Sequence, residues 1–357
     1  MRTKVIAALL AILTALGGLN LFQSIKQKLN PSEKYHVEAV ADVRTDAETV
    51  VDIETDVIRV ERGDKRFVIR TSAVSDARND REVMISERFD VKEGASLRAD
   101  VAHAEFNIIT GSSDEAEVEV TLDSNRMSRS RERFEVMNWP VAQRDGDIII
   151  LADDPRGWNN WNFEIDVTVR IPSRFNIDLE TTHGDVVVGD LEGELSMQTS
   201  HGDVELGDVT GGRMWIKTSH GDISGQALRA SLIEVHTSHA DLEFEAIESE
   251  EFSATTSHAD VEIESLRGES EIRTSHGDVR VELVDGLGAD ITTTHGDVMV
   301  YVAKDARLDL DVRGAEVKMS SSFNLNGRMS EEVIDGHING GGRLLRVRTS
   351  HGEVSIR

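Results

Sequence analysis

Histidine and aspartate recur together at a fixed interval in the second half of this 357-residue sequence. Successive histidines are 18 or 19 residues apart over seven copies, and an aspartate follows each one two residues later. Imidazole and carboxylate groups bind zinc, copper and nickel. The pattern therefore predicts either a strip that binds divalent metal ions or a structural ladder of stacked rings and hydrogen-bonded carboxylates. The residues are His183, His201, His220, His239, His258, His276 and His295, with Asp185, Asp203, Asp222, Asp241, Asp260, Asp278 and Asp297.

Each histidine belongs to a six-residue phrase of the form T-[ST]-H-[GA]-[DE]-[VIL], which occurs eight times. A short fixed period indicates that each unit stacks on a copy of itself. The 56 residues between His295 and His351 correspond to about three intervals, so we expect two degraded copies there. The phrases occupy residues 181–186, 199–204, 218–223, 237–242, 256–261, 274–279, 293–298 and 349–354.

Apolar and polar residues alternate on both sides of the phrase, which is the period of a β-strand. Around His201, for example, Leu195, Met197, Val204 and Leu206 are apolar. The phase slips by one residue between the two strands, which requires a corner. We expect the glycine after the histidine to adopt a positive φ there, and the aspartate to bond to nearby backbone amides.

The side-chain parity favours the ladder over the metal strip. The histidine shares the parity of the inward residues before it, so it is predicted to point to the core or to lie in the corner, partly buried. The aspartate is predicted to face outward, and one metal ion would then not reach both groups easily. Crowding in such a column favours neutral imidazoles, so we expect the protein to lose stability in mild acid, with the aspartates opposing the effect.

Two strands and two bends fit into 18 or 19 residues, whereas a propeller blade or a helical repeat needs about 33 to 50. The sequence therefore predicts an all-β fold, a parallel β-solenoid (β-helix) whose rungs stack about 4.8 Å apart. Its ends need covering strands, because exposed strand edges invite aggregation.

Four regions are predicted along the chain. Residues 1–22 are a signal peptide or membrane anchor, since Arg2 and Lys4 precede an apolar stretch. Residues 23–85 form a tether and a short β region, and residues 86–172 an irregular β segment that caps the solenoid. Residues 173–357 are the repeat solenoid. We therefore expect an exported protein, periplasmic, on the cell surface or membrane-anchored, with its body outside the cytoplasm.

The composition excludes several partners. The net charge is −27, which disfavours nucleic acid and anionic membrane surfaces. Membrane contact is expected only through the N-terminal leader. The sequence has no cysteine and therefore no disulfide. No cofactor is required, and a divalent cation is the one candidate.

A catalytic role is not expected, because an enzyme needs a unique constellation of groups and here each rung carries the same polar residues. The loop with Trp158, Asn159, Asn160 and Trp161 is the irregular feature that could give specificity. Its indole rings either contact a partner such as an envelope glycan or protein, or cover the end of the core.

Several motifs in order resemble one bacterial family. F-D-V-K-E-G-A-S-L at 89–97 precedes V-T-V-R-I-P at 167–172, the T-S-x-G-D-[VI] rungs follow, and G-x-I-N-G-G-G at 336–342 precedes the last phrase. This order is similar to the putative-adhesin family of β-strand-repeat proteins, a domain of unknown function. The resemblance implies an exported, envelope-associated β-solenoid with adhesin-like binding and no catalytic residues. The uniform histidine departs from the family, in which asparagine or serine is more frequent at the corner.

The expected function is thus a non-catalytic, exported cell-envelope solenoid that acts as an adhesin-like binder or a scaffold. Two alternatives stay open. The first is a repeat protein that binds divalent metal or responds to pH through the histidine and aspartate columns. The second is a regulatory component of the envelope stress response.

Overall fold

The computed structural model describes residues 38–40, 49–54, 57–62, 65–70, 80–137, 139–152, 163–284 and 287–357. The predicted leader at residues 1–22 lies outside these ranges. The chain divides into two compact units, Met1–Asn79 and Asp80–Arg357. None of the helices in the described residues is long and apolar enough to cross a membrane.

The first unit contains a four-stranded antiparallel sheet in the order β1-β4-β3-β2. Strands β3 and β4 pair antiparallel, with Arg62 beside Lys65. The strands are β1 (Glu38–Val40), β2 (Thr49–Glu54), β3 (Val57–Arg62) and β4 (Lys65–Arg70).

The second unit is almost entirely strand, with one helix among its described residues. Its elements are β5 (Asp80–Asp90), β6 (Ser96–His103), β7 (Glu105–Gly111), β8 (Glu115–Ser124), α1 (Met127–Val136), β9 (Val141–Arg144), β10 (Asp147–Leu151), β11 (Phe163–Pro172), β12 (Asn176–His183), β13 (Val186–Val188), β14 (Leu191–Glu192), β15 (Leu195–Gln198), β16 (Val204–Lys217), β17 (Ile223–His236), β18 (Leu242–Thr255), β19 (Val261–Arg273), β20 (Val279–Leu283), β21 (Ala289–Thr292), β22 (Val298–Val302), β23 (Leu308–Arg313), β24 (Glu316–Met319), β25 (Leu325–Met329), β26 (Val333–Ile338), β27 (Arg343–Arg348) and β28 (Glu353–Ile356).

The repeats form a parallel β-solenoid, which confirms the predicted fold. Each strand pairs in parallel with the strand one interval later, so that Val204 lies beside Ile223 and Ile223 beside Leu242. The inward residues four before and three after each histidine are at most 1% exposed throughout the eight phrases. The alternation in the sequence thus fills one continuous core of stacked aliphatic side chains.

At the N-terminal end of the solenoid, the order of rungs in space differs from their order in sequence. Strands β6 and β7 form a complete rung, which lies within the segment predicted as an irregular cap. This rung pairs with β12 and β13 on one side and with β10 and β11 on the other, all in parallel. Beyond it, β8 pairs antiparallel with both β11 and β5 and ends the parallel stacking.

The C-terminal end is interleaved in the same way, and here one expectation is wrong. Strands β27 and β28 pair directly with β21 and β22, so His351 lies on the rung next to His295 and no degraded copy lies between them in space. The intervening residues supply β23 and β24, which stack on the far side of β27 and β28. Strands β26 and β25 then add antiparallel and cover this end. The interval count was misleading because chain order and rung order diverge here.

Candidate functional site

The histidine rings form one continuous stacked column along a corner of the solenoid. From His183 to His351, neighbouring ring centroids are 4.6–5.0 Å apart and the rings are within 2–5° of parallel. His103 extends the column at its N-terminal end, 4.6 Å from His183 with a 20° tilt. Nine rings therefore stack, two more than the seven singled out from the sequence. The signal for His351 was the phrase that it shares with the other rungs, and the signal for His103 was a degraded copy of that phrase.

The backbone explains why the column is so regular. The amide of His220 donates to the carbonyl of Ser200 at 3.0 Å, and the amide of His239 donates to Ser219 at 3.0 Å. The same bond recurs from His201 to His351 at 3.0–3.1 Å. Each corner is thus bonded to the preceding corner, and the rings inherit the spacing of the rungs.

The histidine side chains from His183 to His351 lie exposed at the corner, so of the two placements predicted from parity, core or corner, the structure has the corner. In each phrase the threonine is buried and the histidine is exposed, and the residue between them is half-buried in every phrase except the last, where Ser350 is exposed; the glycine or alanine is again buried or nearly so. The phase slip therefore occurs before the histidine and not after it. The parity argument could not decide between core and corner, because the strand alternation does not continue through the corner.

The buried threonine is a corner residue that the sequence reasoning missed, although all eight phrases begin with it. Its hydroxyl accepts the amide of the glycine three residues later in four phrases, at 3.1–3.3 Å. The pairs are Thr218 with Gly221, Thr274 with Gly277, Thr293 with Gly296 and Thr349 with Gly352. The threonine thus closes the corner from within.

The glycine that follows the histidine is needed for close approach between rungs. A Cβ on Gly296 would overlap the carbonyl oxygen of Gly277, and one on Gly221 would overlap that of Gly202. Among the phrase glycines only Gly184 has a positive φ, 131°. The expectation of a positive φ at each corner is therefore wrong, and at the other glycine corners the constraint is the carbonyl of the neighbouring rung, which lies where a Cβ would be.

The aspartates form a second, outward-facing column that ties the rungs together. Asp203 donates its amide to Oδ1 of Asp185 at 3.0 Å, and Asp222 donates to Asp203 at 2.9 Å. The ladder continues through Asp297 at 2.7–2.9 Å and ends where Glu353 donates to Asp297 at 2.7 Å. One carboxylate oxygen of each aspartate from Asp185 to Asp297 is therefore occupied by a structural hydrogen bond.

Electrostatic effects are resolved at the N-terminal end of the two columns. The His183 ring is covered on both faces, and this desolvation, followed by the charge of His201, lowers the pKa of His183. Desolvation of Glu105, followed by the charge of Asp185, raises the pKa of that carboxyl. Both shifts favour the neutral form.

Within the described ranges, three or more histidine, aspartate or glutamate side chains do not converge on a position that could hold a metal ion. The rings stack face to face and the carboxylates are bonded along the column. This arrangement has the geometry of the structural ladder.

The predicted contact loop with Trp158, Asn159, Asn160 and Trp161 lies outside the described residues. Trp139 is 7% exposed and stacks on Phe134 of α1 at 5.5 Å. Trp215, by contrast, stands on the outer face of β16 and is half-buried. The sequence could have shown that Trp215 faces outward, because it lies between the inward residues Met214 and Ile216 on the same strand.

Comparison with known proteins gives the family. Among solved structures, a putative adhesin from Bacteroides fragilis is 13% identical with a TM-score of 0.40, over 77% of this chain and 97% of that one. A putative lipid binding protein from Parabacteroides distasonis is 12% identical with a TM-score of 0.46, over 78% and 97%. A putative adhesin from the same species is 13% identical with a TM-score of 0.43, over 78% and 98%. None of the curated proteins matches this chain. The family model described as Toastrack DUF4097 matches residues 95–357, which confirms the resemblance seen in the sequence, and the chain belongs to that family.

Proposed function

We propose that this chain is a non-catalytic, exported solenoid of the cell envelope that binds an envelope glycan or protein through its outer faces. The observation that carries the proposal is the repetition of the corner surface. Nine rungs present the same imidazole, with neighbouring rings from His103 to His351 at 4.6–5.0 Å. A rigid, repeated surface suits an extended partner, whereas catalysis needs one convergent set of unlike groups.

Export and envelope location are part of the proposal and rest on the sequence. Basic residues at positions 2 and 4 precede the apolar stretch at 5–22, in the order of a secretory leader or anchor. The net charge of −27 keeps the body soluble and away from anionic lipid.

The test is capture of envelope material by the immobilised chain without residues 1–22. Envelope extracts are separated into glycan and protein fractions and applied with and without a chelator. The same chain, heat-denatured, is the control for nonspecific capture by an acidic polypeptide. Saturable capture of a glycan or protein by the folded chain alone, unaffected by chelator, supports the proposal. No difference between the folded and denatured chains contradicts it, and capture that the chelator abolishes would instead support the metal-binding alternative.

A pH-responsive binder is the second candidate, and the exposed stacked column favours it. Two like charges about 4.7 Å apart in water repel each other by about 0.9 kcal/mol, so charge on one ring would be coupled to charge on its neighbour in the column. The capture experiment at about pH 7.5 and about pH 5.5 tests it with a variant in which His220, His239 and His258 are glutamine. The candidate requires that capture by the native chain changes between the two pH values and that capture by the variant changes less.

A further inference from the structure

Trp215 interrupts an outer column whose other members in the neighbouring rungs are small or charged. The column runs through paired positions on four successive rungs, from Arg98 to Asp178, Ser196 and Trp215. Rungs about 4.8 Å apart place the two ends about 14 Å from each other. The large side chains at the ends and the small Ser196 between them leave a depression in the sheet face.

A second outer column, two residues earlier on each strand, forms the other side of the same depression. Ser96 pairs with Asn176 at one end, and Glu194 and Arg213 line it towards the Trp215 end. The resulting groove has a volume of about 560 Å³, which lies within the usual range for small-ligand sites. We call this surface the Trp215 groove.

The lining of the Trp215 groove carries two charges of each sign, in contrast to the strongly acidic chain. Its lining includes two guanidinium groups, Arg98 and Arg213, and two carboxylates, Asp178 and Glu194. Arg213 also pairs with Glu234 at 2.8 Å, which orients it beside the indole. In the described part of the chain, no hydrogen bond or ion pair engages the side chains of Arg98, Asp178 or Glu194. Their donors and acceptors are therefore available to a ligand.

We propose that the Trp215 groove binds a neutral saccharide, a deduction that rests on the proposed envelope-binding function and gives it a site. The indole offers an apolar face on which a sugar ring packs by dispersion. The carboxylates of Asp178 and Glu194 accept hydrogen bonds from sugar hydroxyls, and the Arg98 guanidinium donates to them. Because Glu234 already pairs with Arg213, the groove has no excess of positive charge that would favour an anionic ligand, and its length suits a short oligosaccharide.

Binding of defined oligosaccharides to the folded chain tests the proposal. Cellotriose and the N-acetylglucosamine trimer are the neutral probes, trigalacturonate is the anionic probe, and a lysine-rich peptide represents a protein partner. Calorimetry and tryptophan fluorescence report binding. We expect at least one neutral trisaccharide to bind at up to millimolar concentration, and Trp215→Ala to weaken it about tenfold or more.

Matched variants separate a binding role from a structural one. Trp215→Phe should recover part of the affinity, and Asp178→Ala should lose affinity with an unchanged melting temperature. Lys217→Ala, on the same face of the same strand but outside the groove, should bind as the native chain does. Preference for the anionic probe or the peptide, absence of binding to both neutral probes, or equal binding by Trp215→Ala would overturn the proposal. If envelope capture persists in Trp215→Ala, the binding function stands and the groove assignment fails.

Discussion

At the scale of single residues, each position of the repeated phrase has a separate structural task. Threonine closes the corner from inside, as in the 3.3 Å bond from the Gly221 amide to the Thr218 hydroxyl. Glycine lets successive backbones approach, and aspartate bonds the rungs together from outside. The histidine side chains from His183 to His295 are exposed and have no hydrogen bond to another described residue, whereas Nδ1 of His351 contacts the Thr294 carbonyl oxygen at 3.3 Å. Packing therefore accounts for the threonine, the glycine and the aspartate, and the histidines from His183 to His295 are the residues that call for a surface role.

Replacing Gly296 with alanine is expected to destabilise the protein by about 1–3 kcal/mol. The added Cβ would overlap the Gly277 carbonyl oxygen, so the corner must shift and weaken the bond from the Gly296 amide to Thr293. Urea unfolding measures the change. Gly111→Ala is the matched control, because nothing lies within 4 Å of its Cβ position. Equal stability of the two variants would refute the steric argument.

Two rungs already carry alanine at this corner, which sets an upper limit on the cost. Ala240 and Ala259 are buried, and the hydroxyls of Thr237 and Thr256 on those rungs have no hydrogen-bond partner within the described residues. A corner that accepts alanine therefore exists, and the missing bond is not specific to it, because the Thr199 hydroxyl on a glycine rung also has no partner within the described residues.

Protonation of His183 is expected to make the protein less stable in mild acid. Its folded-state pKa is lowered by desolvation and then by His201, whereas the unfolded chain has an ordinary pKa of about 6.5. The stabilisation is complete above the unfolded pKa and declines as pH falls towards the lowered folded pKa, because the unfolded chain binds the proton first. Thermal melts between about pH 7.5 and about pH 5.5 should show a smaller loss for His183→Gln than for the native chain.

The neighbouring carboxyl provides a control for this pH dependence. The raised pKa of Glu105 acts in the opposite direction, since its contribution is present below the unfolded value of about 4.3 and is lost as pH rises through the folded pKa. When Glu105→Gln is introduced into both the native chain and His183→Gln, the difference in acid-induced loss of stability between these two chains should therefore remain. An identical acid dependence for the native chain and His183→Gln would show that His183 does not contribute.

At the scale of elements, the ladders along the rungs decide the geometry. The carboxylates of the aspartate column repeat at about 4.8 Å and repel one another, yet each of the seven accepts an amide of the next rung. The bond from Asp241 to Asp222 is 2.9 Å, and that from Asp297 to Asp278 is 2.7 Å. The backbone bond, which needs only an oxygen acceptor, outweighs the repulsion.

Substitution of Asp222 separates these two effects. Asp222→Ala removes the acceptor for the Asp241 amide and should cost about 1 kcal/mol. Asp222→Asn keeps an oxygen in place and removes one like charge, so its stability should equal or exceed that of the native chain at low salt. Denaturant unfolding at low and high salt measures both. Equal destabilisation by the two changes would mean that the charge itself, and not the hydrogen bond, holds the corner.

The elements also show how far the sequence could predict the structure. The apolar positions, such as Ile216 and Val235, follow a strict alternation, and their burial was predictable from periodicity alone. The side-chain directions at the corner were not, because Thr218 and Gly221 make contacts that depend on the neighbouring rungs. The columns were located correctly along the chain, whereas Trp215 was missed because no motif includes it.

At the scale of the whole repeat unit, both ends of the solenoid place a rung between elements that are distant in the sequence. The rung of β6 and β7 lies between β10–β11 and β12–β13, and that of β27 and β28 lies between β21–β22 and β23–β24. Periodicity could not predict this, because pairing between distant strands depends on the loops that join them. The consequence is that neither end of the parallel stack can form by simple addition of the next repeat.

A chain that ends at residue 342 is expected to lose more than one rung. It lacks Leu345, Val347, Val354 and Ile356, which are fully buried, and it leaves β23 without its parallel partner. We expect association of the exposed edges in size-exclusion chromatography and fast amide exchange throughout β23–β26. A simple sequential stack would instead give a monomer one rung shorter with protected β23 amides.

Point variants in β27 give the same test without removing chain. Leu345→Ala should cost about 2–5 kcal/mol and raise exchange in β23. Leu344 on the same strand is 43% exposed, so Leu344→Ala should have little effect. Equal effects of the two would contradict the interleaved arrangement.

The interleaved end also imposes an order on biogenesis. Strands β23–β26 are synthesised before β27 and β28, yet they reach their final neighbours only through them. During synthesis, this end therefore keeps an open edge until residues 343–357 are available. A chain interrupted before that point would expose aliphatic edges, which chaperones and proteases recognise, so this arrangement allows the cell to distinguish finished from unfinished molecules.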